Sequence, residues 1–189
     1  MQPIVEKAKK VFLDNVKANG SDPYTHENHV FEVERWAKKL LKTNPTADEE
    51  VLLLSVWLHD FGVYPINPNE DHAITGERKA KEFLSKENYD KDKTEKVLHC
   101  IRSHRCKDVM PKTLEAKMLA TSDSASHFTS TMYFDILYRQ KKIHHDYSAF
   151  DKINRDYRDI AFFLEVKKEL TPIYEAWVNL LKTYEKIEY

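Results

Sequence analysis

The residues Val51-Leu52-Leu53-Leu54-Ser55-Val56-Trp57-Leu58 form the most apolar run of the chain, and the run ends abruptly in His59-Asp60. An ionised carboxylate at the end of a buried segment costs on the order of several kcal/mol unless something neutralises it. Thr46 and Asp48 before the run and Phe61-Gly62 after it read as the start and stop of a helix. The C-terminal end of a helix carries partial negative charge, which makes an aspartate there costlier still. A divalent cation answers both problems, because imidazole and carboxylate side by side suit a first-row metal. A buried His–Asp hydrogen bond with no metal is the competing reading of the doublet alone.

Other candidate ligands fall on the apolar faces of neighbouring segments. His29 lies one helical turn before Val33, and His26 one turn earlier sits nearer an exposed helix start. His72 lines up with Gly76, Ala80 and Phe83, and the glycine lets a neighbouring backbone come close. His104 lines up with Val97 and Ile101, whereas His99 points about 200° away from Val97, toward solvent. Asp123 follows Leu114, Met118 and Leu119 at helical spacing, among the small residues Thr121, Ser122, Ser124 and Ala125. Any one of these, taken singly, reads as an ordinary core residue. Six polar groups on inward faces or at helix ends read as one site.

The elements that must position them are helices. Three glycines and seven prolines leave few turns in 189 residues, and charged stretches with helical periodicity dominate, so the fold class is all-α, in a single domain. The spacing predicts helices over about 3–19 (stopped by Gly20), 26–41, 47–59, 72–87 and 91–105, then a shorter one from Pro111 to Asp123. Residues from about 124 onward read as two or three long helices, with Thr171 and Pro172 at the cap and first turn of the last. A net charge of −1 favours neither nucleic acid nor an anionic membrane. No apolar stretch reaches the roughly 18 residues of a membrane span. The N-terminus lacks a signal-peptide pattern, and Cys100 and Cys106 do not make a disulfide framework, so the expected location is the cytoplasm.

The ordered set His29, His59-Asp60, Asp123, with His72 and His104 between, resembles the HD superfamily of metal-dependent phosphohydrolases. The segments around these residues resemble that family's histidine and aspartate helices, and the likeness covers roughly residues 22–128. Where relatives often carry a further aspartate two residues before the last ligand, this chain has Thr121. The resemblance implies an HD-type helical bundle in which His29, His59, Asp60 and Asp123 hold a divalent ion: manganese, iron, cobalt, nickel, zinc or magnesium. It implies that His72 and His104 hold a second ion, as in two-metal relatives, or face a substrate phosphate, as in one-metal relatives. The second role is preferred at this point, with Asp60 and His72 as catalytic groups.

The expected substrate is a small phosphorylated metabolite, foremost a nucleotide, cleaved at a phosphomonoester or pyrophosphate bond. A di-iron oxygenase-like chemistry and a non-catalytic binding domain are the alternatives. Arg105, Arg78, Lys152 and Arg155 are the candidate phosphate contacts, and Lys79, Arg102 and Arg158 lie near them in sequence. Each has a solvated helix face as its competing reading. Phe61 and the loop of Tyr64, Pro65 and Pro68 could form a wall beside the base or sugar. His144-His145-Asp146 lacks an apolar context and reads as an exposed loop. The oligomeric state stays open between monomer and homodimer.

Overall fold

The computed structural model describes residues 2–19, 26–63, 70–143 and 148–187, with side chains given outside 26–27 and 140–143. Gly20, Tyr64, Pro65, Pro68 and the His144-His145-Asp146 group lie outside the described residues, as does the side chain of His26. Among the described residues the structure is all-α, as the periodicity predicts. The chain, which reads as one domain in sequence, divides by its internal contacts into two compact units, Met1–Asp123 and Ser124–Tyr189.

The first unit is built around α3 (Glu49–Leu58). Asp48 caps it by accepting from the Glu50 and Val51 amides at 3.1 and 3.2 Å. All eight residues from Val51 to Leu58 are buried, so α3 has no polar face and must be surrounded. α1 (Pro3–Ala18) covers one side with Val5, Ala8, Phe12 and Val16, and Phe12 meets Trp57 edge-on at 5.9 Å. α2 (His26–Thr43) covers another with Val30, Val33, Ala37 and Leu40. Burying each such leucine or valine contributes roughly 1.5–3 kcal/mol. Lys9 lies 4.6 Å from the ring centres of both Phe31 and Trp57, a cation–π contact that ties α1 to its two neighbours.

A 3-10 turn, His59–Gly62, follows α3 directly and packs on α4 (His72–Lys86). The contact is backbone on backbone. A Cβ built on Gly62 would overlap the His72 carbonyl and come within 2.6 Å of the Gly76 amide nitrogen. A Cβ on Gly76 would lie 2.8 Å from the His59 carbonyl oxygen. α5 (Lys91–Ser103) packs on both α3 and α4. α6 (Leu114–Phe128) supplies Asp123, and its Glu115 accepts from the Asp48 amide at 2.8 Å, fixing the start of α6 to the start of α3. It runs five residues beyond the expected stop, and the boundary between the units lies within it.

In the second unit α7 (Met132–Ile143), α8 (Ala149–Asp159) and α9 (Leu164–Glu185) bury Tyr133, Leu137, Ile153, Val166, Leu170 and Leu181. Trp177 donates its indole N–H to the Phe128 carbonyl at 2.9 Å and meets Tyr133 edge-on. Pro172 lies inside α9, which corrects the expected helix start at Thr171. The Thr171 hydroxyl does not cap forward. It bonds back to the Lys167 carbonyl at 2.7 Å, as threonines inside helices do.

Candidate metal centre

Six side chains from five elements converge in the first unit, and they are the six singled out in sequence: His29, His59, Asp60, His72, His104 and Asp123. They form two adjoining groups, His29–His59–Asp123 and Asp60–His72–His104, within each of which one donor atom per residue lies within 4.8 Å of the others. His29 Nε2 is 3.2 Å from Asp123 Oδ1 and 3.6 Å from Asp60 Oδ2. His59 Nε2 is 3.5 Å from the same Asp60 oxygen and 3.9 Å from Asp123 Oδ1. The other Asp60 oxygen faces the second group, 3.7 Å from His72 Nε2. His72 Nε2 and His104 Nε2 are 3.3 Å apart. Ligands about 2.1 Å from a shared ion lie about 3–3.5 Å from one another; three of these separations fall in that range and the other three exceed it by a few tenths of an ångström, so a cation could draw the six together.

The backbone selects which ring nitrogen is offered. His59 follows the last residue of α3, and its Nδ1 is 2.7 Å from the Val56 carbonyl. His104 follows the last residue of α5, and its Nδ1 is 2.6 Å from the Ile101 carbonyl. A carbonyl only accepts, so each Nδ1 carries its proton and each Nε2 presents a lone pair. Fixing a histidine in this way is the usual outer support of a metal ligand. His59 Nε2 is fully buried and has no hydrogen-bond partner. An orphaned acceptor aimed at two carboxylates is costly without a cation and satisfied with one. Burial, with His59 and His72 close by acting in the same direction, pushes His104 down to about 3, so it is neutral and free to ligate at ordinary pH. Burial likewise lowers His72, against the opposing pull of Asp60.

The chain leaves helical geometry at Asp60, with φ −96° and ψ 15°, and its two carboxylate oxygens face the two groups. Thr121, two residues before Asp123, is fully buried.

The cations flanking the site are placed differently. Arg105 forms a close ion pair with Asp71, the residue before His72 and the N-cap of α4. The Asp71 carboxyl is pushed up by burial, but the Ala73 amide and Arg105 outweigh this and hold it below the ordinary carboxylate range. Arg78 is not brought to the cluster: it is more than half exposed and pairs with Glu82 at 3.5 Å. Lys79 donates to the Phe61 carbonyl at 3.2 Å. Arg102 is paired with Asp108 and, at 3.6 Å, with Glu77. His99, expected to be solvent-facing, is half-buried and accepts from the Lys112 amide at 3.0 Å.

Lys152 and Arg155 belong to the second unit. Lys152 is nine-tenths buried and donates to Asp156 Oδ1 at 2.6 Å, with its Nζ also 3.0 Å from His127 Nδ1. Tyr133 donates to the other Asp156 oxygen at 3.0 Å. Sequence reading missed this buried His127–Lys152–Asp156–Tyr133 cluster; the i, i+4 spacing of Lys152 and Asp156 was its only signal. Here donors answer acceptors, so the cluster is closed. In the first unit the buried His59 Nε2 has no hydrogen-bond partner.

Residues 27–126, more than half of the chain, match the HD domain family. The chain belongs to the HD domain family. The family is in general one of metal-dependent hydrolases. Comparison with curated proteins finds no match for this HD domain chain. The His/Asp groups of this HD domain suit a divalent metal.

Proposed function

We propose that the protein is a metal-dependent phosphohydrolase acting on a small phosphorylated metabolite, foremost a nucleotide, at a phosphomonoester or pyrophosphate bond. The observation that supports this best is the sharing of Asp60 between two groups of converging acceptors, one of which holds the orphaned Nε2 of His59. His29, His59, Asp60 and Asp123 would hold one ion, and Asp60, His72 and His104 a second. The geometry favours this ligand role for His72 and His104 over a direct phosphate contact. Such ions supply Lewis acidity toward a phosphoryl oxygen and a nucleophile from water near neutral pH.

The residues themselves do the rest. His59 and His104 hold their lone pairs in place through their backbone carbonyls. Asp60 keeps one oxygen on each group and so fixes their separation. His72 is the most exposed of the six at 34% of its side chain, and Arg105 beside it is 24% exposed, so an anion approaches from this edge. Arg105 has the planar fork that phosphate oxygens fit. Phe61, buried behind the doublet against Phe12 and Phe83, serves the core and not a substrate wall.

The test is hydrolysis of a nucleotide panel with added manganese, products resolved by chromatography. Nucleoside with phosphate marks a phosphomonoesterase; monophosphate with pyrophosphate from a triphosphate marks a pyrophosphohydrolase. No turnover with any divalent metal would refute the hydrolytic reading. The completeness of the Asp60–His72–His104 group favours one alternative, an oxygenase-like use of two irons. Two irons per chain with oxygen consumption would support it.

A further inference from the structure

We propose that Asp71 is a positioning residue for the second group of ligands: its carboxylate neutralises Arg105 so that a cation can bind between Asp60, His72 and His104. The inference rests on the metal-centre reading above. Asp71 immediately precedes His72, and Arg105 immediately follows His104, so one ion pair joins the neighbours of both histidines across 34 residues of chain. The two Asp71 oxygens are divided between tasks. Oδ1 accepts from the Ala73 amide at 2.9 Å and caps α4; Oδ2 takes the Arg105 guanidinium.

His72 needs outside support more than its partners do. His59 and His104 sit at helix ends and lean on carbonyls three residues back. His72 is the first residue of α4, and its ring lies 3.7 Å from Asp60 Oδ1 and 3.3 Å from His104 Nε2, with no backbone carbonyl of the described residues bonded to it. An arginine beside this group opposes a second cation by plain Coulomb repulsion. Arg102, one turn earlier, is committed to Asp108 and Glu77 and cannot replace Arg105 in the pair.

A charge-balancing role makes opposite predictions for the two partners, which a mechanical tie does not. The full chain, stripped with chelator, is titrated with Mn²⁺ by calorimetry. The unaltered protein binds two ions in two steps. Asp71→Asn keeps a good helix cap but leaves Arg105 unanswered, so the weaker step weakens at least tenfold while the tighter step and the melting temperature hold. Arg105→Gln leaves the weaker step unchanged or tighter. The double variant regains the Asp71→Asn loss to within about threefold of the unaltered protein. The proposal is overturned if Asp71→Asn changes the weaker step by less than twofold, if Arg105→Gln weakens it equally, or if the unaltered protein binds a single ion. Binding of no ion at all would overturn the metal-centre reading with it.

Discussion

Asp60 is the residue on which both ligand groups depend, since one oxygen faces each. Asp60→Ala is expected to remove metal binding and turnover together, read by metal content after dialysis and by the nucleotide assay; a fully active variant would show the site to be elsewhere. His104 is held neutral, at about 3, by burial and by the nearby His59 and His72. Cys100, close by on α5, is driven the other way: burial pushes its thiol up to about 12, and neighbouring hydrogen bonds only partly offset this. The thiolate is the reactive form. Alkylating reagents at neutral pH are therefore expected to leave Cys100 unmodified in the folded protein and to label it after denaturation, as mass spectrometry would show. The convergence of the six side chains was legible in sequence because each is a polar group on an apolar face or at a helix end. Asp71 was not, because a helix cap followed by a histidine has the same pattern whether or not an arginine from elsewhere binds it.

At the scale of elements, the 3-10 turn after α3 meets α4 where neither chain has a side chain to interpose. Gly62→Ala must push apart the backbones that carry Asp60 and His72. The expected cost is 1–3 kcal/mol, about that of overpacking a core, measured by denaturant titration, with weaker metal binding alongside. An unchanged stability would mean that α4 can slide on the turn. The sequence suggested one close approach at Gly76, but a glycine after His-Asp-Phe also reads as a simple helix stop, so the pairing of the two glycines was not legible. Helix positions followed from periodicity where the caps are ordinary side chains, as at Asp48, Asp71 and Asp90. The start of α9 was hidden because Phe163 at its N-cap makes no side-chain cap, whereas Thr171-Pro172 imitates one inside the helix. The extension of α6 past Asp123 was missed for a related reason: small polar residues there resemble a loop.

Across the whole molecule, the two units bury polar groups under different rules. In the second, the Asp156 carboxyl is pushed up by burial, but the charges of Lys152 and His127 and their hydrogen bonds outweigh this and leave it lowered from 3.8. A carboxylate depressed by folding stabilises above its unfolded value and loses that contribution as pH falls through the folded one. The buried pair is thus fully effective above about pH 5 and fades as acid passes below the unfolded value of 3.8. Asp159 is raised by burial despite Arg158, and contributes with the opposite sign. Asp156→Asn strands a buried ammonium and is expected to cost about 3–5 kcal/mol at neutral pH, with a smaller difference from the unaltered protein once the pH falls below the unfolded value of 3.8. Thermal melts across pH would show it; a pH-independent difference would mean that the carboxylate is not the source.

The approach of His72 Nε2 to His104 Nε2, 3.3 Å apart, has a thermodynamic consequence. Folding gathers side chains that the unfolded chain keeps dispersed, so an ion held by them would bind the native state alone, and occupancy and folding would be linked equilibria. Free metal at a hundredfold its dissociation constant would add about 2.7 kcal/mol to the free energy of unfolding. The melting temperature then becomes a titration curve for the centre, rising with the logarithm of metal concentration and reading affinity without any substrate being known.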